Sequence, residues 1–351
     1  MNRKADAAEA LIDHALALRW DRLARRDREA ACAFLLDTLA VGAAGRNAAH
    51  AETVLSMASR WGLGDEASVL GRPGLRLPAG SAAFVNAFQI HGQEFDCVHE
   101  PAVLHPLSSV LAAVLAEAER GGPVSGEDFL TALVAGVDVA ATLGIGAGPT
   151  SFFRPAVAGI NGSVAAVAAL RGMPRQEALH ALGHALAFAS GTMQAHVEGK
   201  PALPVQVANA ARASLVAVDL ARGGVEGVEN PIEGPFGYYA LLERSAKLSE
   251  GLDLLAKGSR IAEVSWKPYP TGRAGHGGIV ALLGLMAEEG LAADQVAGLD
   301  YHAPPLIRRL VGRPAGPGMA PGYARLCLPY LAAVTLMRGG VGLSDFSSER
   351  L

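Results

Sequence analysis

Apolar residues recur at three- and four-residue spacing in one segment after another, and most of these segments stop at a glycine. That period lays one side of a helix against a core, so most of the chain is committed to packed helices. Residues 28–41 carry the pattern and end at Gly42, and 80–91 follow a break at Pro78. Leu107, Val110, Leu111, Val114 and Leu115 share one face of 107–119, which stops at Gly121 and Gly122. Ser125, with Glu127 and Asp128 behind it, reads as a cap with acids in the first turn, opening 129–142. Residues 158–172 are rich in small side chains that let helices approach closely; 174–190 follow, and 205–222 close the series at Gly223 and Gly224. These stretches describe one large all-helical domain, residues 1–260.

The character changes after Gly258. Residues 261–266 alternate apolar and polar side chains, the period of a strand, and run into Lys267-Pro-Tyr-Pro270. A helix is expected over 274–289, a second strand over 296–302, a mobile Pro/Gly-rich loop over 304–321 and a last helix over 326–337. Residues 261–351 thus read as a small α+β domain whose two strands make a poor sheet alone, as if the domain were incomplete at its C-terminus. The fold class is mainly α.

Alanine, leucine and valine supply the core: half the residues are hydrophobic and only 5% aromatic. Charged residues make up 18%, against roughly 25% in an average protein. A net charge of −4 without a long basic run lacks the electrostatic footprint of nucleic-acid binding. Cys32, Cys97 and Cys327 lie far apart with no Cys-x-x-Cys, which speaks against a disulfide framework and for a reducing compartment. The N-terminus lacks the apolar core of a signal peptide. The nearest approach to a membrane span, 129–148, contains Asp138 and several glycines. A soluble cytoplasmic protein is expected, with no nucleic acid and no membrane among its partners. The apolar excess implies apolar surface patches and therefore association, a homodimer being the commonest form.

Against so few charges, four polar stretches stand out. They are His91 to His105, holding Glu94, Asp96, His99 and Glu100; Arg154 before Pro155; Lys200 between Gly199 and Pro201; and Lys267 and Arg273 around a Pro-Tyr-Pro turn. Cations fixed at bends between apolar helices suit a pocket for a small anion with more than one carboxylate, and arginine offers a two-pronged fork. A carboxylate and an imidazole about ten residues apart across a proline bend can act as base and acid over one substrate. The bland alternatives are a polar loop capping two helices and, for Lys200, a solvated surface lysine. Other patterns fail. Pro149 stands where a dinucleotide loop starting at Gly144 needs its third glycine, and there is no Gly-x-Ser-x-Gly. Glu177, His180 and His184 share a helical face, but such a pair of histidines on an alanine-rich helix reads as packing or surface rather than metal ligation.

Taken in order, these stretches resemble the MmgE/PrpD family. Leu36-Asp-Thr-Leu-Ala-Val-Gly42 resembles its first signature. Asn86 to His91, with Glu94-Phe-Asp96, resembles "N-G-x-x-x-H-x-x-D-F-D-D-T", and His105-Pro106 the following "H-P-S". Phe153-Arg-Pro resembles "F-H-P-T", and 159–166 the glycine-alanine helix. Ala189-Ser-Gly191 with Lys200, Ile232-Glu-Gly-Pro-Phe-Gly237, Lys267-Pro-Tyr-Pro with Arg273, and Leu328-Pro-Tyr330 with 342–351 complete the set. The resemblance implies a helical domain with a small α+β lid, a homodimer, no metal and no organic cofactor. It also implies a chain continuing past residue 351, so the lid here is expected to be short. By position, Glu94 takes the place of the first motif aspartate, Val98 that of the threonine and His105 that of the acid/base histidine, while Lys200, Lys267 and Tyr330 match pocket residues. Glu94, Cys97, Val98 and Arg154 depart from the pattern, and one extra residue separates Glu94 from His105.

The expected function is a cofactor-independent dehydratase acting on a small di- or tricarboxylate such as 2-methylcitrate. His105, Glu94, Lys200 and Tyr330 are the expected catalytic residues, with Arg154, Lys267, Arg273, Asp96 and His91 binding substrate. Decarboxylation and epimerisation would use the same proton-handling groups. A catalytically degraded homologue that binds a carboxylate without turnover is a further alternative.

Overall fold

The computed structural model describes residues 6–148, 151–243, 247–347 and 349–351. Its helices are α1 (Ala7–Ala17), α2 (Arg25–Ala44), α3 (Ala51–Ala58), α4 (Ala79–His91), α5 (Pro106–Arg120), α6 (Gly126–Ile145), α7 (Arg154–Val157) and α8 (Gly159–Arg171). There follow α9 (Arg175–Phe188), α10 (Gln194–Glu198), α11 (Ala202–Arg222), α12 (Leu248–Leu255), α13 (His276–Glu289), α14 (Pro305–Val311), α15 (Pro321–Ala324) and α16 (Leu328–Arg338). Strands among the described residues are two-residue pieces. β1 (Ala67–Ser68) pairs antiparallel with β2 (Arg76–Leu77), and β3 (Val98–His99) with β4 (Val264–Ser265). The fold is mainly α, as the periodicity requires.

The chain forms two compact units. The first comprises Met1–His91, Asp96–Met193 and Pro204–Trp266; the second Gly92–Phe95, Gln194–Leu203 and Lys267–Leu351. In the first unit α4, α5, α6 and α8 are buried along most of their length. Glycine explains how closely two of them pack. A Cβ at Gly136 of α6 would sit 2.9 Å from the Gly162 carbonyl oxygen, and one at Gly162 of α8 would sit 2.5 Å from that of Gly136. The Ser125 cap forms as expected, its side chain accepting from the Asp128 backbone N–H at 3.0 Å.

Helix α6 is long and apolar enough to cross a membrane, but most of it is buried inside the unit, as befits a core helix. Its Asp138 is fully buried and accepts from His14 Nε2 at 2.9 Å and from the Arg260 backbone N–H at 2.6 Å. Those bonds replace the water that the carboxylate loses.

The second unit packs α13, α15 and α16 around Ile279, Ala324, Leu331, Val334, Val341 and Phe346. Here the strand expectations fail. Residues 261–263 form a 3₁₀ turn, and only Val264–Ser265 is strand, paired with β3 inside the first unit. Residues 296–302 make no strand: nearly all are exposed, so alternation there has no buried face to serve. The second unit therefore has no strand among its described residues. The expected loop over 304–321 contains α14, with proline in its first turn where the fixed φ favours helix entry.

Candidate active site

In the first unit, a histidine–carboxylate cluster forms where α4 ends and α5 begins. His91 is the last residue of α4, and His105 immediately precedes α5. Asp96 lies between them in sequence and is 1% exposed. Its Oδ2 accepts from His91 Nδ1 at 2.7 Å and from the Ser108 hydroxyl, and lies 3.5 Å from His105 Nδ1. His105 Nδ1 donates to the Cys97 carbonyl at 2.9 Å. A carbonyl can only accept, so that nitrogen carries the proton, and the neutral ring holds its lone pair on Nε2. The two imidazoles are 5.2 Å apart edge to face, with Phe153 5.6 Å from His91. This ordered pair of rings around one carboxylate can take up and return a proton.

Asp37 of α2, from the first family-like signature, is electrostatically coupled to this cluster. Burial, reinforced by the Asp96 charge, pushes its carboxyl up to about 6. The folded state thus holds a proton that the unfolded chain releases, so stability falls as pH rises from about 4 to about 6. Asp37→Asn is expected to raise the melting temperature above the wild type at pH 7–8, with the difference disappearing below pH 4. A constant difference across that range would contradict the assignment.

Arg154 opens α7 and is 4% exposed. Its guanidinium is engaged within the first unit. Nε and Nη2 each donate to Glu243 at 3.2 Å, Nη1 donates to the Ala102 carbonyl at 2.9 Å, and Nη2 to the Gly148 carbonyl at 2.8 Å. The Tyr238 hydroxyl donates to Glu243 at 3.0 Å. Glu243 ends a short π-helical turn, Tyr239–Glu243. The fork expected to meet a substrate carboxylate meets a protein one.

The second unit gathers the other candidates. Lys267 is 4% exposed, and its Nζ donates to the Glu94 carbonyl at 3.1 Å and to Glu94 Oε2 at 3.2 Å. Glu94 adopts φ +50°, a left-handed conformation that L-residues disfavour. Lys200 is exposed on the loop after α10, behind Gly199, whose φ is +62°. A Cβ at Gly199 would lie 2.4 Å from the Tyr323 Cα, so this turn requires glycine. Arg273 is half-buried in the 3₁₀ turn that leads into α13. The Tyr330 hydroxyl donates to the Asp345 carbonyl, and burial pushes the phenol up.

Several residues escaped the sequence reading. His276, 1% exposed, is pushed down to about 4 by burial and by the charges of Lys267 and Arg273, so it is neutral at physiological pH. Arg325, 6% exposed, donates to the Gln93 and Pro270 carbonyls. Its signal was present: a lone cation in Tyr323-Ala-Arg-Leu-Cys327, the same anomaly that singled out Lys200 and Lys267. Ser108 and Glu243 carried no comparable signal, because a serine in a helix and a glutamate near tyrosines are ordinary.

His91, Asp96 and His105 offer three possible metal-ligand atoms within 4.8 Å of one another. The hydrogen bonds among them account for that spacing. His180 and His184, the other metal candidates, bond the 225–227 segment. The Gly227 N–H donates to His180 Nδ1 at 3.3 Å, and His184 Nε2 to the Val225 carbonyl at 2.9 Å.

Two family models match the chain: the MmgE/PrpD N-terminal domain over residues 9–250 and the MmgE/PrpD C-terminal domain over 269–351. Among curated proteins, the chain is 29% identical over 348 residues to a cis-aconitate decarboxylase of Homo sapiens, covering 93% of this chain and 68% of that protein. It is 27% identical over 351 residues to the cis-aconitate decarboxylase of Mus musculus, covering 94% and 69%. A cis-aconitate decarboxylase-like protein of Aspergillus oryzae is 33% identical over 214 residues, 58% of this chain and 44% of that one.

Proposed function

Because the chain belongs to the MmgE/PrpD family, we propose that it is a cofactor-independent lyase acting on a small di- or tricarboxylate. The observation that carries this reading is the orientation of His105. Its Nδ1 is held by the Cys97 carbonyl beside the Asp96 carboxylate, which leaves Nε2 as the basic atom. When Nε2 takes a proton, Asp96 stabilises the imidazolium, as the orienting carboxylate does in other histidine-based sites.

Decarboxylation is the reaction favoured by the human and mouse relatives, which are named cis-aconitate decarboxylases. The bond to one carboxylate breaks and CO2 leaves; the electron pair left behind forms a new double bond to the neighbouring alkene carbon, and the old π pair moves to the far carbon. A proton delivered to carbon completes the product, and His105 as imidazolium supplies it. Dehydration of a hydroxy-tricarboxylate such as 2-methylcitrate would use the same groups in another order: a base takes the proton α to a carboxylate and an acid protonates the departing hydroxyl. Lys200, Lys267 and Arg273 are assigned to the substrate carboxylates, with Glu94 and Tyr330 as further proton-handling groups. Arg154 is left out because Glu243 occupies its fork. The proposal includes a homodimer, to which exposed Leu36, Phe236 and Met337 contribute apolar surface.

Incubation of the protein with cis-aconitate, citrate, 2-methylcitrate and iminodisuccinate, followed by proton NMR, tests the reading. CO2 loss from cis-aconitate is expected. Water loss from 2-methylcitrate would instead establish the dehydratase. Calorimetric binding of these acids without turnover of any would mark a carboxylate-binding homologue and overturn the lyase.

A further inference from the structure

Resting on the proposed role of Glu94, we infer that Arg325 is a positioning residue that fixes the Glu94 carboxylate against Lys267. Within the second unit, one nitrogen of Arg325 bridges two carbonyls distant in sequence. Nη1 donates to Gln93 at 2.9 Å and to Pro270 at 2.7 Å. The first carbonyl immediately precedes Glu94, and the second ends the Lys-Pro-Tyr-Pro turn that begins with Lys267. The Arg325 carbonyl closes the arrangement by accepting from the Gly272 N–H at 3.0 Å. The guanidinium lies 4.2 Å over the Phe346 ring, which fixes its plane.

The backbone shows why such a clamp is needed. Glu94 sits at φ +50°, a left-handed conformation that L-residues disfavour. Consecutive carbonyls of the kink are each gripped by a buried cation, Gln93 by Arg325 and Glu94 by Lys267. With the kink held, the Glu94 side chain turns back onto Lys267 Nζ. Lys267, Arg313 and Arg325 are among the cations whose charge bears on Glu94. Arg325 remains a cation at physiological pH, although burial pushes it down to about 10. It touches no reacting atom; its effect passes through Glu94 and Lys267.

The test follows the Glu94 carboxyl by carbon-13 NMR in selectively labelled protein, assigned with Glu94→Gln, in the wild type, Arg325→Met and Arg325→Lys. Melting temperatures establish that each variant is folded. Arg325→Met removes a positive charge and the clamp, so the Glu94 titration midpoint is expected to move up in pH. Arg325→Lys keeps the charge and is expected to restore most of that shift. On whichever polycarboxylate is turned over, Arg325→Met is expected to lower kcat by up to ~10²-fold, the scale of a misplaced catalytic group, with a smaller change in KM. An unchanged Glu94 midpoint in folded Arg325→Met overturns the inference. Should methionine at this position unfold the chain, a folded Arg325→Gln, which also removes the charge, with an unchanged Glu94 midpoint overturns it equally. The NMR arm needs no substrate, so a failed lyase assignment and a failed clamp give different results.

Discussion

His105→Ala is expected to lower kcat by ~10²–10⁴-fold, the usual worth of a positioned acid or base, and to leave the fold intact. The structure separates this outcome from a structural one. His105 occupies the N-cap position of α5, but its side chain makes no capping bond to that helix. Its Nδ1 instead bonds the Cys97 carbonyl, and a hydrogen bond of this kind is worth about 1 kcal/mol. Asp96 keeps His91 and Ser108 as donors when the ring is gone. Steady-state kinetics and urea unfolding of one preparation decide the matter. A variant that loses stability and keeps its activity would remove His105 from the mechanism.

Arg154→Ala is expected to do the reverse and destabilise the fold by ~3–5 kcal/mol, the range for breaking a buried ion pair. Arg154 and Glu243 are 4% and 2% exposed, so removing the arginine strands a carboxylate in the interior with Tyr238 as its remaining side-chain donor among the described residues. The Ala102 and Gly148 carbonyls lose their donors as well. A double variant, Arg154→Met with Glu243→Leu, is expected to recover much of the loss, because no charge is then left unpaired. A role in substrate binding predicts the opposite: a raised KM at unchanged stability. Urea unfolding of the single and double variants distinguishes the two.

This arginine also marks where sequence reading stops. Its bend at Phe153-Arg-Pro and its place among apolar residues were legible, and so was its likeness to a family motif. Its partner was not, because Glu243 lies 89 residues away on a π-helical turn with no periodic signature. The helices were readable for the converse reason. Period 3.6, a Ser125 cap and glycine stops are local signals, and α4, α5, α6, α8, α9 and α11 follow them closely, whereas α2 runs on through Gly42, its expected stop, to Ala44. Strands 261–266 and 296–302 misled because alternation says nothing about a partner. The first found β3, and the second found none among the described residues.

Within the candidate site, the cluster of His91, Asp96 and His105 was visible as charge density in a charge-poor chain. Its internal order was not: Asp96 was expected to touch substrate, yet it is buried between two histidines and Ser108. Glu94 and Lys267 were both named, one as a base and the other as a carboxylate ligand. Their pairing depends on a left-handed residue that no sequence rule places at a glutamate.

Turnover of cis-aconitate in deuterium oxide, comparing the wild type with His105→Gln, tests the central claim most directly. The account predicts that the wild type releases CO2 and forms a product with one solvent deuterium on carbon, visible by NMR as a lost proton signal, while folded His105→Gln forms that product at least ~10²-fold more slowly. Equal rates of deuterated product from both proteins would contradict it.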